Sequence, residues 1–176
     1  MILFDELMIL RAIEEEDAPI LQQMINDPEI ENAVVGFSYP VSLTSQKKWI
    51  ANLSQDNTVR YAIEVENRVV GVISVSSIDL KNRVGNINIK LISEARGKGY
   101  AMRASKMVIE YCFQELNLNC ITANVIERNC DSKKLWEKLG FSIDGILRQR
   151  VYKNGKYHNL VSYSLLKEEY DERNRK

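Results

Sequence analysis

The chain has 176 residues, which fits one domain, and its hydrophobic content of 45% is ordinary for a globular protein. Its 24 basic and 24 acidic residues give a formal net charge of zero, which argues against a general nucleic-acid binder. One histidine and three cysteines without C-x-x-C spacing argue against a zinc site and are typical of reduced thiols in a cytosolic protein.

The N-terminus is apolar but includes Asp5 and Glu6 and lacks the basic start of a secretory signal. No uninterrupted apolar run approaches the ~18 residues of a membrane-spanning helix. Acidic residues 14–17 then favour a helix start, because carboxylates stabilise the positive end of the helix dipole. The pair Asp27-Pro28 is expected to end that helix.

Hydrophobic periodicity divides the rest of the chain into helices and strands. Apolar residues at i, i+3 and i+4 predict helices, whereas alternation, as at Ile87, Ile89 and Leu91, predicts strands. Asn154-Gly155 favours a type I′ turn and therefore a closing hairpin. The predicted order is a strand at 7–13, a helix at 14–27, an irregular stretch at 29–40, a helix from a cap at Ser42 or Thr44 to Asn52, strands at 61–65, 69–77 and 84–92, a helix at 99–116, a strand at 121–126, a helix at 131–139, strands at 141–152 and 157–166, and a charged helical tail at 167–176.

This order of elements predicts one α+β domain over residues 1–176, in which helices flank a central sheet. The most specific chemical signal lies at residues 91–101, where a strand ends, a turn with Gly97 and Gly99 follows, and a helix begins. N–H groups at a helix start have no intrahelical partner, and together with the helix dipole they form an anion site. The two glycines allow the backbone to approach a phosphate closely.

Two nucleotide-binding motifs do not fit this turn. A P-loop needs a lysine directly after its second glycine, where Tyr100 stands. The dinucleotide fingerprint needs a third glycine, where Met102 stands, and a parallel β-α-β start that the predicted hairpins do not provide. A nucleotide hydrolase or a dehydrogenase is therefore disfavoured.

Three motifs resemble those of the GNAT superfamily of acyl-CoA-dependent N-acetyltransferases. Residues 96–101, RGKGYA, are similar to its R/Q-x-x-G-x-G/A motif, and residues 129–141 resemble its second signature, N-x-x-[SA]-x-x-[LF]-Y-x-K-x-G-F. Residues 145–157 look like the ending of the branch that includes ribosomal-protein, polyamine and nucleotide-aminosugar N-acetyltransferases. The resemblance covers nearly the whole chain. It implies the GNAT fold, with a mixed, mostly antiparallel sheet splayed between the fourth and fifth strands, 84–92 and 120–126.

The resemblance also implies a reaction, the direct transfer of an acetyl group from acetyl-CoA to a primary amine without a metal. Glu127 is the expected base, acting directly or through water, and the competing interpretation is an exposed glutamate beside Arg128. A main-chain N–H near Leu91 is expected to polarise the thioester carbonyl. The expected acetyl-CoA-binding residues are Leu91, Ile92, Arg96, Gly97, Lys98, Gly99, Tyr100, Ala101, Asn129 and Ser132.

Trp136 departs from the family pattern, because many members have a tyrosine here that protonates the leaving sulfur. An indole N–H does not titrate usefully, so solvent, Tyr100, Tyr152 or Cys130 remain as alternative donors. Core packing is the competing interpretation for Trp136. The departure motivates an alternative hypothesis, a non-catalytic acyl-CoA-binding regulatory module of the same fold.

The sequence does not identify the acceptor, which the resemblance limits to a small-molecule amine, an aminosugar nucleotide, a polyamine or a protein N-terminus. Phe37, Tyr39 and Trp49 fall where the acceptor cleft lies in this fold, with core packing as the alternative. Segment 36–55 and the final hairpin are expected to shape the choice of acceptor. A homodimer is expected only because dimers are common in this branch. Neither nucleic acid nor a membrane is an expected partner, and the expected location is the cytoplasm.

Overall fold

The computed structural model describes residues 1–36, 39–54 and 57–175, and within them eight strands form one sheet flanked by helices. The strands are β1 Leu3–Phe4, β2 Met8–Arg11, β3 Val59–Val65, β4 Arg68–Asp79, β5 Val84–Leu91, β6 Cys120–Ile126, β7 Ser142–Lys153 and β8 Lys156–Leu166. The helices are α1 Ala18–Ile25, α2 Pro28–Ala33, α3 Leu43–Ala51, α4 Tyr100–Gln114, α5 Cys130–Leu139 and α6 Lys167–Asn174.

The strand order in the sheet is β1-β2-β3-β4-β5-β6-β8-β7. Neighbouring strands are antiparallel except β5 and β6, which are parallel because α4 forms the crossover between them. The predicted α+β class with a mixed, mostly antiparallel sheet is therefore confirmed. Strand β7 lies at one edge of the sheet, although β8 follows it in the chain.

Helix α4 contributes an apolar face to the core. Ala104, Val108 and Cys112 recur at four-residue spacing, as do Ile109 and Phe113, and all five are at most 2% exposed. Because this face lies in the core, the first turn of α4 is held at a fixed place at the end of β5.

The prediction of an irregular stretch at 29–40 is wrong for its first residues, because α2 begins at Pro28. The Asp27 side chain accepts a hydrogen bond of 2.8 Å from the Glu29 N–H and so caps the helix. Proline is well tolerated at the first helical position, since the N–H that it lacks would have no partner there. The same dipeptide thus ends α1 and starts α2.

Several local predictions are confirmed by backbone geometry. Asn154 and Gly155 both have positive φ, +50° and +75°, as a type I′ turn requires. Ser42 caps α3 by accepting a 3.1 Å hydrogen bond from the Ser45 N–H. The charged C-terminal segment is helical, as α6. Among the described residues, no helix is long and apolar enough to cross a membrane.

Candidate active site

The parallel pair β5 and β6 brings the two predicted motifs to one edge of the sheet. The carboxyl ends of parallel strands lie at the same edge. Residues 96–101 follow β5 after a short 3₁₀ turn, and Glu127, Asn129 and Ser132 follow β6. The expected base and the expected cosubstrate-binding residues therefore border the same opening.

The turn before α4 leaves main-chain N–H groups open to a ligand. Gly97 and Gly99 have φ of +74° and +84°, and a Cβ on either would meet no described atom within 4 Å. Gly99 is the N-cap of α4, and no described side chain caps it. The first helical turn closes with Arg103 N–H bound to the Gly99 carbonyl, so the preceding amides lie outside the helical ladder. This geometry suits an anionic group such as a diphosphate.

The two basic side chains of the turn behave differently. The Arg96 guanidinium turns back toward β5 and α2, where Nε donates to the Leu91 carbonyl at 3.4 Å and Nη1 pairs with Glu29 at 3.1 Å. Lys98 is exposed. The Arg96 N–H donates to the Ser93 carbonyl at 3.1 Å, so neither its amide nor its side chain is open to a phosphate, and both stabilise the turn.

The sheet opens between β5 and β6, as expected. In the described part of the chain three residue pairs join these strands, Val84 with Cys120, Gly85 with Ile121 and Asn86 with Thr122. The Asn86 amide donates to the Thr122 hydroxyl at 3.0 Å and marks the last contact of the ladder. Beyond it, β5 pairs with β4 and β6 pairs with β8, which leaves a wedge-shaped gap.

Main-chain groups of Leu91 face this gap. The Ile92 N–H donates to the Val70 carbonyl at 3.0 Å, so the main chain of Ile92 points toward β4. Because hydrogen-bonding direction alternates along an antiparallel ladder, the N–H and carbonyl of Leu91 point the other way, toward β6. Of the two residues expected to bind the pantetheine arm, Leu91 has its N–H directed into the gap, whereas the N–H of Ile92 is already bound.

Glu127 lies just after β6 and is held against β8 by Asn159. The Glu127 N–H donates to the Asn159 carbonyl at 3.0 Å, and Glu127 Oε2 accepts from Asn159 Nδ2 at 2.9 Å. Asn159 Oδ1 in turn accepts from the N–H of Gln149, which lies in an irregular part of β7 with φ of +50°. The Glu127 carboxylate is exposed, so solvent and an amine can both reach it. Sequence reasoning missed Asn159.

Asn129 has a structural role in addition to the expected binding role. Its Oδ1 caps α5 by accepting a 3.1 Å bond from Ser132 N–H, and its Nδ2 donates to the Ala33 carbonyl at 3.2 Å. The second lone pair of Oδ1 stays available to a ligand. Ser132 is partly buried one turn into the helix.

Trp136 is part of the core. Its side chain is 2% exposed, and its ring centroid lies 5.1 Å from that of Phe141 at an angle of 57°. Tyr100 is partly buried, whereas Tyr152 and Cys130 are exposed. The ring of Tyr152 packs at a tilt against the ring of Tyr157 in the final hairpin. The core interpretation of Trp136 fits these contacts, and the donor to the leaving sulfur stays open among the alternatives.

A buried lysine of the final hairpin holds the segment between α2 and α3, which sequence reasoning did not find. Lys153 is 6% exposed, and its Nζ donates to the Glu31 carbonyl at 2.8 Å, to Glu31 Oε2 and to the Gly36 carbonyl at 2.6 Å. Alternation along β7 could have indicated that Lys153 is buried, because Lys153 lies two residues after the apolar Val151 and therefore on the same face of the strand.

Further side chains bind the last carbonyls of α2. Arg128 donates to the carbonyl of Asn32 at 2.8 Å and to its Oδ1 at 2.5 Å, and Asn154 donates to the same Oδ1 at 2.9 Å. With the bond from Asn129 to Ala33, these contacts fix residues 31–36 against the loop after β6 and the tip of the final hairpin. One wall beside the gap is thereby preorganised.

Lys90 lies on β5, directly before Leu91, and is partly buried. Burial lowers the pKa of its ammonium, nearby Glu31 raises it and nearby Lys153 lowers it again, with a net shift below the usual 10.5. The Lys90 main chain is paired with Val72 of β4, but within residues 1–36, 39–54 and 57–175 no hydrogen bond or ion pair reaches its ammonium.

The aromatic residues expected in an acceptor cleft are only partly described. Tyr39 is 77% exposed and Trp49 43% exposed, so neither is packed in the core, and Phe37 lies outside the described residues. In the described ranges no three His, Cys, Asp or Glu residues cluster as metal ligands do.

Known proteins share this architecture. A family model for the GNAT acetyltransferase domain matches residues 8–142. The chain is 33% identical over 173 residues to the uncharacterized N-acetyltransferase p20 of Bacillus licheniformis, spanning 96% of this chain and 97% of that protein. It is 30% identical over 167 residues to the SPbeta prophage-derived uncharacterized N-acetyltransferase YokL of Bacillus subtilis, spanning 94% and 93%.

A solved structure confirms the fold. Spermidine N-acetyltransferase from Vibrio cholerae in complex with CoA and spermine matches with a TM-score of 0.86, over 94% of this chain and 99% of that one. At 23% identity the likeness concerns the fold and not the acceptor.

Proposed function

We propose that this chain, which belongs to the GNAT acetyltransferase family and is an acyltransferase, uses acetyl-CoA and moves the acetyl group to a primary amine by direct transfer in a ternary complex. Residues 1–176 form the single domain that carries the reaction. The acceptor is an amine of a small molecule, an aminosugar nucleotide, a polyamine or a protein N-terminus. The reaction belongs in the cytoplasm, where free cysteines such as the three of this chain stay reduced.

The observation that carries this proposal is the gap between β5 and β6, bordered by an open helix start. The amides of residues 97–101 bind the diphosphate of acetyl-CoA, whereas the Arg96 N–H is already bound to the Ser93 carbonyl. The pantetheine arm extends along β5 as an added strand. Asn129 and Ser132 contact that arm from the other side. The thioester carbonyl is thereby placed next to the Leu91 N–H that faces the gap.

The chemistry requires a neutral amine, since an alkyl ammonium with a pKa near ~10.4 has no lone pair for attack. Glu127 takes the proton, directly or through a water, and the amine nitrogen bonds to the thioester carbon. The oxyanion that forms accepts a hydrogen bond from Leu91 N–H. Collapse of this intermediate breaks the carbon–sulfur bond and releases CoA as a thiolate. The nitrogen, which became positively charged on attack, loses a proton to solvent as the amide forms, and the thiolate is protonated from solvent or a nearby side chain.

Thermal unfolding with acetyl-CoA tests the binding part of the proposal. At about 100 times Kd the ligand adds about 2.7 kcal/mol to the free energy of unfolding, or about 5–10 °C in Tm for a chain of this size. Gly99→Glu places a carboxylate where the diphosphate binds and is expected to abolish the shift. Gly155→Glu is a matched control, because Gly155 also has positive φ and open surroundings but lies in the final hairpin. An unchanged Tm at high acetyl-CoA, or equal shifts in both variants, contradicts the binding site.

Release of CoA with a panel of amines tests turnover. Glu127→Gln removes the base and is expected to lower kcat about 10²- to 10⁴-fold while the acetyl-CoA-induced Tm shift persists. Glu110→Gln, an exposed glutamate on α4, is the control and is expected to keep full activity. Acetyl-CoA binding without turnover on any amine would favour the acyl-CoA-binding module, and turnover that is independent of Glu127 would rule out this residue as the base. The expected homodimer is measured separately by sedimentation.

A further inference from the structure

Lys90 is a desolvated cation beside the reaction centre. Along β5 its side chain lies on the face opposite to Ile87 and Leu91, which are 1% and 9% exposed in the hydrophobic core. The charges of Glu31 and Lys153, which form an ion pair with each other, both influence the pKa of Lys90. Leu91, the next residue, directs its N–H into the gap where the thioester is expected.

The positive charge at this place is not balanced by the described residues. Glu31 is the carboxylate that acts on Lys90, yet its Oε2 and its carbonyl are both bound by Lys153. Two ammonium groups therefore share one carboxylate. An unpaired charge taken out of water is unfavourable unless an opposite charge or good hydrogen bonds compensate it. In the described ranges the Lys90 ammonium makes no hydrogen bond and shares the Glu31 carboxylate with Lys153, so a bound ligand with an anionic group would supply a partner of its own.

Building on the proposed function, we propose that Lys90 is a specificity-determining residue that binds a carboxylate or phosphate carried by the acceptor close to its reactive amine. The chemical class is an amino acid or a phosphorylated amino sugar, whose amine and anion are separated by a few bonds. A polyamine fits poorly, because it adds positive charge next to Lys90 and Lys153. The same two cations favour the neutral form of the attacking amine, which direct transfer needs.

The experiment compares kcat/KM within matched pairs of acceptors. One pair is an α-amino acid and its carboxamide, a second is glucosamine 6-phosphate and glucosamine, and spermidine is a separate arm. The wild type is expected to prefer the anion-bearing member of at least one pair by tenfold or more, and the pair that shows the preference identifies the anion. Lys90→Met keeps the length of the side chain without its charge and is expected to reduce this ratio to near one. Lys90→Arg is expected to retain it.

Two readouts separate specificity from folding and from cosubstrate binding. The Tm and the acetyl-CoA-induced shift are expected to be the same in wild type and Lys90→Met, because Lys90 makes no hydrogen bond that the substitution removes in the described structure. Three results would each overturn the inference. The first is a wild-type ratio of kcat/KM, anionic over neutral acceptor, below two in both pairs. The others are a ratio that persists in Lys90→Met and spermidine as the best acceptor. The proposed function survives each of these results, since an amine is still acetylated.

A binding measurement decides the case in which no amine of the panel turns over. Calorimetry of the CoA-bound protein with the N-acetylated products is expected to show at least tenfold tighter binding of one anionic product than of its neutral counterpart. The difference is expected to vanish in Lys90→Met. Equal affinities of anionic and neutral products overturn the inference, whereas absence of any acetyl-CoA-induced Tm shift refutes the proposed function itself.

Discussion

Replacing Lys153 by methionine tests whether the final hairpin holds the segment between α2 and α3. The substitution keeps an unbranched side chain of similar volume but removes the ammonium that donates to Glu31 Oε2, the Glu31 carbonyl and the Gly36 carbonyl. Three acceptors therefore lose one donor at the same time. The side chains of Lys153 and Glu31 are 7% and 22% exposed, so water compensates the loss only in part.

The expected cost follows from this burial. Breaking a buried ion pair by removing one partner costs about 3–5 kcal/mol, because the remaining charge is left uncompensated. Glu31 keeps some contact with solvent and still interacts with the charge of Lys90, which places Lys153→Met near the lower end, at about 3 kcal/mol. For a chain of this length that corresponds to a fall in Tm of about 6–12 °C.

Urea unfolding measures the free energy of unfolding, and a double-mutant cycle with Glu31→Gln isolates the pair. The coupling energy is expected to be about 1–3 kcal/mol, because removing Glu31 as well leaves no stranded carboxylate. Lys156→Met, an exposed lysine in the same hairpin, is the control and is expected to change stability by at most about 0.5 kcal/mol. A loss below about 0.5 kcal/mol for Lys153→Met would refute the argument from burial.

Three further predictions follow from individual side chains. Burial alone would raise the pKa of Asp17, but hydrogen bonds from Arg11 and a backbone N–H lower it below its usual 3.8. This carboxylate therefore stabilises the fold above pH 3.8 and loses its effect as the pH falls below that value through the lower pKa of the folded state. Unfolding titrations should therefore show a weaker acid dependence and lower stability at neutral pH for Asp17→Asn; an unchanged pH slope contradicts this. Exposed Cys130 should react with a disulfide reagent in the native state, while Cys112, whose pKa burial raises to about 12, should react only after unfolding. Gly140→Ala should cost about 1–2 kcal/mol in urea, because Gly140 ends α5 at φ of +98°, and an unchanged midpoint would argue against strain there.

The sequence predicts those features whose cause is local. The glycines at 97 and 99, the Asn154-Gly155 turn and the alternation along β5 each act within a few residues, and the structure contains the turns and strands that they indicate. Periodicity also placed α4 and β6, whereas the gap between β5 and β6 was expected only from the family resemblance.

The features that the sequence did not predict depend on residues distant in the chain. Lys153 is buried because carbonyls from residues more than a hundred positions earlier surround it, and local periodicity contains no information on those partners. Asn159 contacts Glu127 for the same kind of reason, through the pairing of β8 with β6. Helix α2 was missed because Asp27-Pro28 was interpreted only as an ending, although a proline is equally suited to a beginning.

The short ladder between β5 and β6 has a mechanical consequence. Among the residues that the structure describes, three residue pairs connect the five N-terminal strands to the three C-terminal ones, so the sheet consists of two half-sheets joined at one end. An extended ligand that hydrogen-bonds to both free edges would act as the missing rung between them and make the two halves move as one body. In amide hydrogen exchange, occupancy of the gap should then slow exchange in strands on both sides at once.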